Sequence, residues 1–168
     1  MRTNRHPFAL VAAVTLIAGA IAQFGNTQAI NMNAPATPKS YVQFAAEPQT
    51  VAANKQADLE LRFQIVPGYH INSHTPKSKF LIPTALTLQP SPGVKPGSPE
   101  FPAGRLYSFA FDPADKLDVY SDNFIVKLPV VATTGEHTVD ATLKYQACDN
   151  ASCYPPKTLA VKIFFTAR

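Results

Sequence analysis

Charged side chains are scarce, at 15% of the 168 residues, and the lysines and arginines stand singly rather than in a cluster. That scatter excludes the basic face through which nucleic acid is bound. Glycine is also scarce, 7 residues against 16 prolines, and none of it forms a phosphate-cradling loop. No serine sits in a nucleophile elbow, which removes the hydrolase reading. Cysteine is limited to two residues, without a Cys-x-x-Cys pair, a methionine-rich run or a histidine cluster. Neither a cofactor nor a small-molecule substrate is expected. Long helices are excluded by the prolines, which helices accept only near their starts. What is plentiful is apolar surface, 46% of residues, in a chain of one-domain length. Composition therefore points to a single all-β domain with a real core.

The beginning of the chain reads as a targeting signal. Arg2, Arg5 and His6 precede the apolar run Phe8 to Ala22, which closes on Ala20-Ile21-Ala22. Small residues at those two alanine positions are what a signal peptidase selects. The run is short for a membrane span of roughly 20 apolar residues, although an uncleaved anchor is the alternative. No cysteine follows the run, so a lipoprotein anchor is excluded. Residues 1–22 are thus expected to be a signal peptide and the protein to be periplasmic or otherwise exported. Removing Arg2 and Arg5 without any acid lowers the net charge from +4 to +2.

Residues 23–40 are polar, contain proline and lack periodicity, and are expected to form a flexible lead-in to a domain spanning 41–168. Strand signals follow. Tyr41–Ala45 is short; Asp58–Val66 alternates, placing Leu59, Leu61, Phe63 and Ile65 on one face with the period of two that a half-buried strand needs. Pro67-Gly68 turns the chain into Tyr69-His70-Ile71. Ala85–Gln89 is a further strand, and the proline-rich stretch Pro90 to Gly104 reads as an irregular loop. Arg105–Phe111 is strand-like and gives way to the polar stretch Asp112–Asp118. Asn123–Ala132 is strongly apolar, with Pro129 suggesting an edge or a bulge. His137–Ala147 alternates through Val139, Ala141, Leu143 and Tyr145. Thr158–Phe165 ends the set with Leu159, Val161, Ile163 and Phe165 inward. Roughly seven short strands separated by turns suit an immunoglobulin-like antiparallel β-sandwich.

The two cysteines bracket a polar loop, Cys148-Asp149-Asn150-Ala151-Ser152-Cys153. An even count in an exported protein favours a disulfide, and the flanking strand signals suggest a hairpin with the cysteines at facing ends. Closing six residues stabilises the fold by only about 2 kcal/mol in the chain-entropy model. A staple would do better between distant strands. On spacing alone a structural bridge and a redox pair stand level. Lys144 and Lys157 flank the pair in sequence and would favour a thiolate, which Asp149 would oppose.

The stretch Tyr145-Gln146-Ala147-Cys148 … Cys153-Tyr154-Pro155-Pro156 resembles the motif of the amino-terminal periplasmic domain of the DsbD thiol:disulfide interchange family. Leu61-Arg62-Phe63-Gln64-Ile65 … Gly68-Tyr69-His70 is similar to that domain's early strand and turn. Val119-Tyr120-Ser121-Asp122 with Ile125-Val126-Lys127-Leu128-Pro129-Val130 is similar to its central strands. The resemblance implies an immunoglobulin-like sandwich whose cysteines carry electrons from a membrane-embedded thiol reductase to thioredoxin-fold proteins outside the cytoplasm, for disulfide repair or cytochrome c maturation. It implies that Cys153 forms mixed disulfides and Cys148 resolves them. It also implies a shielding cap, with Phe109 and Phe111 as candidates, and places Tyr69, His70, Tyr145 and Tyr154 around the pair. Pro155 and Pro156 lack a backbone N–H and leave that end of the hairpin open.

Two features depart from the family. The inter-cysteine loop has four residues, one fewer than in the best-known members. The chain ends at Arg168 without a membrane domain or a carboxy-terminal thioredoxin-like domain, so electrons are expected to arrive from a separate polypeptide. A thiol–disulfide interchange component that depends on such a donor follows. The competing readings are an extracytoplasmic binding sandwich with a structural disulfide, and a copper or zinc module using Cys148, Cys153, His70 and His74. On a regular strand those histidines would be about 13 Å apart, too far to share one ion.

Overall fold

The computed structural model describes residues 40–110 and 112–168. Residues 1–22 and 23–39, to which the export signal and most of the lead-in were assigned, lie outside the described residues. Among the described residues no helix is long and apolar enough to cross a membrane.

The described chain is all strand and turn: β1 (Val42–Ala45), β2 (Gln49–Val51), β3 (Gln56–Ile65), β4 (His70–Asn72), β5 (Ala85–Leu88), β6 (Val94–Pro96), β7 (Arg105–Phe109), β8 (Asp112–Ser121), β9 (Asn123–Ala132), β10 (Gly135–Tyr145), β11 (Ala147–Cys148) and β12 (Lys157–Ala167). They form three four-stranded sheets, ordered β1-β3-β9-β6, β2-β12-β10-β5 and β11-β4-β8-β7. All pairs are antiparallel except β2 with β12.

The first two sheets supply the core, because the alternation read from the sequence aims one apolar set from each long strand inward. Leu59, Leu61, Phe63 and Ile65 of β3 join Phe124, Val126, Leu128 and Val130 of β9. From the other sheet come Val139, Ala141, Leu143 and Tyr145 of β10 with Val161, Ile163 and Phe165 of β12. Each such side chain contributes about 1.5–3 kcal/mol on burial. The result is the immunoglobulin-like sandwich expected, with a third sheet growing from one end of it.

That third sheet arises where three strands change partners. After β3, Tyr69 N–H bonds Val66 C=O at 3.1 Å, and Gly68 takes φ 85°. This is a type II turn with proline and glycine in their preferred central positions. Between β8 and β9 only Asp122 intervenes, at φ 61°. Between β10 and β11 the break is at Gln146. Tyr145 pairs with Lys157, yet Tyr154 N–H bonds Ala147 C=O at 2.8 Å. One residue, Gln146, therefore faces two, Pro155 and Pro156, which is a bulge. Prolines cannot donate to the ladder, so the pairing breaks there and the hairpin tip is passed to β4.

Several local expectations are corrected. The polar stretch Asp112–Asp118 is part of strand β8: its side chains from Asp112 to Lys116 are exposed along a hairpin with β7, so no burial imprints alternation on them. The loop from Pro90 to Gly104 contains β6 and a further bridge from Glu100 to Lys127. Pro129 occupies neither an edge nor a bulge. It pairs with Asp58 in a central strand, and its C=O accepts from Gly97 N–H at 2.7 Å just past β6. In an antiparallel strand N–H and C=O of one residue point the same way, so the missing donor faces the place where β6 has ended.

Candidate functional site

Cys148 and Cys153 form a disulfide, with Cα atoms 3.9 Å apart. The hairpin dictates this pairing. Bonds from Tyr154 N–H to Ala147 C=O and from Asp149 N–H to Ser152 C=O bracket Cys148 and Cys153, making them a non-hydrogen-bonded pair, the closer of the two kinds. Cys148 also faces His70 of β4 in register. The side chains of His70, Cys148 and Cys153 therefore leave one face of the sheet in a row.

The two sulfurs have unequal surroundings. Cys148 is fully buried at 0% exposure, whereas Cys153 is exposed. The difference comes from sequence-distant elements. The hairpin of β7 and β8 brings Tyr107 onto the His70 ring, centroids 4.0 Å apart, with Phe109 at 6.1 Å from His70 and edge-on to Tyr107. Tyr107 Oη donates to Asn150 Oδ1 in the inter-cysteine loop at 3.0 Å, tying the covering hairpin to the site.

The loop itself is held by Asp149, whose Oδ1 accepts from Ala151 N–H at 2.8 Å and Ser152 N–H at 2.9 Å, and whose Oδ2 accepts from Tyr154 Oη at 2.5 Å. The Tyr154 bond, then the two backbone donors, hold the Asp149 carboxyl below its ordinary range. Reciprocally, the carboxylate pushes the Tyr154 phenol up to about 12. His70 is held below its ordinary value by burial, against a smaller opposing pull from Asp149. Its Nε2 is buried and, among the described residues, has no hydrogen-bond partner.

Beneath the loop the opposite face is aromatic. Tyr154 stacks on Tyr41 at 5.1 Å, and Tyr69 packs on Tyr41 at 4.7 Å. Gln146 locks the corner: its Oε1 accepts from Asn72 Nδ2 and Ile82 N–H, and its Nε2 donates to Tyr154 C=O.

Of the residues singled out from the sequence, the structure gathers Cys148, Cys153, His70, Phe109 and Tyr154 around the disulfide, with Tyr69 in the aromatic layer below. Tyr145 lies in the core, its Oη bonded to Ser40 Oγ and accepting from Tyr41 N–H. Phe111 lies outside the described residues. Lys157 Nζ sits over the Tyr41 ring at 4.3 Å. His74 points elsewhere, stacked on Phe101 with Nδ1 against Thr84 C=O; among the described residues no group of three or more His, Cys, Asp or Glu is placed to hold a metal. The sequence reading missed Tyr107 and Asn150, whose bond spans 43 positions of chain and leaves no local signal.

Residues 33–164 match the family described as thiol:disulfide interchange protein DsbD, N-terminal. The chain belongs to that family. Among solved structures, the reduced DsbD N-terminal domain of Neisseria meningitidis is 22% identical with a TM-score of 0.44, over 69% of this chain and 86% of that one. The N-terminal periplasmic domain of ScsB from Proteus mirabilis is 11% identical, TM-score 0.44, over 73% of this chain and 44% of that one. A complex between the DsbD and PilB N-terminal domains of N. meningitidis matches at 24% identity, TM-score 0.42, over 62% and 73%. No curated protein sequence matches the chain significantly. The DsbD N-terminal motif read from Tyr145 to Pro156 thus coincides with the disulfide hairpin at the sandwich end.

Proposed function

We propose that this DsbD N-terminal domain is an exported thiol–disulfide exchange module that relays two electrons through Cys148 and Cys153. Its donor is a membrane-embedded thiol reductase, and its acceptors are thioredoxin-fold proteins in the periplasm. Residues 1–22 serve as the export signal. The observation that carries this reading is the asymmetry of the bridge: one sulfur exposed, the other enclosed. Exchange requires an accessible sulfur.

In the reduced protein the Cys153 thiolate attacks a partner disulfide, forming a mixed disulfide and expelling one partner thiolate. Cys148 then attacks Cys153 Sγ. The Cys148–Cys153 bond forms, the bond to the partner breaks, and the partner leaves as a dithiol carrying two electrons. An upstream dithiol restores the module in two attacks: one thiolate attacks the exposed Cys153 Sγ with Cys148 as leaving group, and its second thiolate then attacks the first, releasing Cys153 and leaving the donor as a disulfide.

The test is trapping with an oxidised thioredoxin-fold protein. Cys148→Ala accumulates a mixed disulfide, whereas Cys153→Ala forms none; equal, undiminished electron transfer by both variants sinks the proposal. A reduction potential of about −180 to −270 mV, the range of dedicated exchange proteins, supports it. A value below about −300 mV, with the sulfurs inert, identifies a structural bridge in a binding sandwich instead.

A further inference from the structure

The row of side chains beside the disulfide contains one group that the exchange steps above leave unused. His70 is 4% exposed, stands opposite Cys148 in register, and shares its face of the sheet. A buried polar atom without a partner keeps its desolvation penalty uncompensated, and His70 Nε2 is such an atom among the described residues of the disulfide form. Reduction places an S–H donor on Cys148, the residue that stands opposite His70 in register. Cys148 is also enclosed, and a thiol in such surroundings resists ionisation. Yet it must become a thiolate to release a partner from Cys153.

We propose that His70 accepts the thiol proton of Cys148 at the resolving step, an inference that rests on the relay reading. The Cys148 S–H proton passes to Nε2. The sulfur attacks Cys153 Sγ and the Cys148–Cys153 bond forms. The bond from Cys153 to the partner sulfur breaks, its electron pair leaving with the partner thiolate, and the imidazolium returns the proton to solvent. Burial keeps His70 neutral at physiological pH and so able to accept. The titratable or charged groups that face it from the elements packed around it are Tyr107 of β7, which covers the ring, with Arg105 two residues along the same strand face and paired with Asp122, then Cys148 of β11 with Cys153 beyond it, and Asp149, whose charge favours the imidazolium once formed. In register on β8 stands Ser121, which does not titrate.

The experiment uses the fully reduced wild-type protein and one equivalent of the chromogenic disulfide dithiobisnitrobenzoate, followed by stopped flow across pH. A first, bimolecular burst of aryl thiolate reports attack by Cys153. A second, concentration-independent burst reports resolution by Cys148. In the wild type the second rate is expected to be flat from about pH 7 to pH 8.5 and to fall at lower pH as the imidazole protonates. In His70→Phe, which keeps a ring against Tyr107, it is expected to be at least about 30-fold slower near pH 7, since even an ordinary thiol of pKa ~8.5 is then only ~3% ionised and an enclosed one less. The variant's rate should gain about tenfold per pH unit to at least that value, while its first burst is unchanged.

Identical pH profiles in the two proteins overturn the proposal and leave the relay reading standing. If His70→Phe does not fold, the wild type decides alone: a second rate already rising about tenfold per pH unit from pH 6.5 overturns it. Absence of any burst from the reduced wild type overturns the relay reading, and this inference with it.

Discussion

Reduction of the Cys148–Cys153 bond is the perturbation the relay performs on itself, and its cost follows from the hairpin. The bridge closes only the six residues from Cys148 to Cys153. Bonds that hold the same loop survive reduction: Tyr154 N–H to Ala147 C=O, Asp149 N–H to Ser152 C=O, and the Asp149 carboxylate to Ala151 and Ser152 N–H. The loss is therefore the chain-entropy contribution of a short loop, about 2 kcal/mol at 25 °C. With roughly 130 described residues the unfolding entropy is about 270 cal/mol/K, so the melting temperature should fall by about 7 °C. By linkage, the same 2 kcal/mol places the folded pair about 45 mV below the same dithiol in the unfolded chain. Urea unfolding of the oxidised protein, and of the reduced protein kept anaerobically with excess reductant, measures the difference directly. A loss of about 5 kcal/mol or more, or failure of the reduced form to fold, refutes the reasoning. The bridge would then be holding the corner of the sandwich together, and a module that must be stable in both redox forms could not depend on it so heavily.

Two further outcomes follow from single contacts. Asp149 is depressed below its ordinary 3.8 by Tyr154 and two backbone donors, so its contribution to loop order is full above that value and lost as pH falls through the lower folded value. Tyr154 is raised from 10.0 to about 12, so its contribution is full below pH 10 and lost on the way to about 12; Asp149→Asn should return the Tyr154 ring titration toward its ordinary value in an NMR pH series, and an unmoved titration contradicts the assignment. Gly104→Ala would set a Cβ 1.7 Å from Asp118 Oδ1 and 2.9 Å from Ser73 Cβ, an overpacking that should cost about 1–3 kcal/mol in urea unfolding; unchanged stability would show that the β7 approach gives way easily.

The legibility of the chain differed by element for physical reasons. β3, β10 and β12 were read from their alternation, because burying one face forces apolar residues to every second position. β8 was not, since its first half is exposed on both sides of a hairpin and nothing there selects a period. β6 and β2 are three residues each, too short to carry a pattern. Pro129 read as an edge signal, because the rule tracks the missing donor, while the position where the neighbouring strand stops is a long-range fact. At the site the disulfide and the Tyr-Gln-x-Cys block were legible as local spacing. The break at Gln146 was not, because it depends on matching one strand's residue count against its partner's across the Pro155-Pro156 bulge.

By itself the sequence determined that the protein is an all-β domain with a cysteine hairpin of the DsbD N-terminal kind. Those properties rest on local periodicity and on contiguous residues. Which sulfur meets solvent was decided only by tertiary structure. The β7–β8 hairpin, with Tyr107 over His70, together with β4 against β11, encloses Cys148 and leaves Cys153 outside. The same packing set His70 opposite Cys148 and left its Nε2 without a partner among the described residues, because exposure and proximity come from how distant strands register, which neither cysteine's neighbours encode.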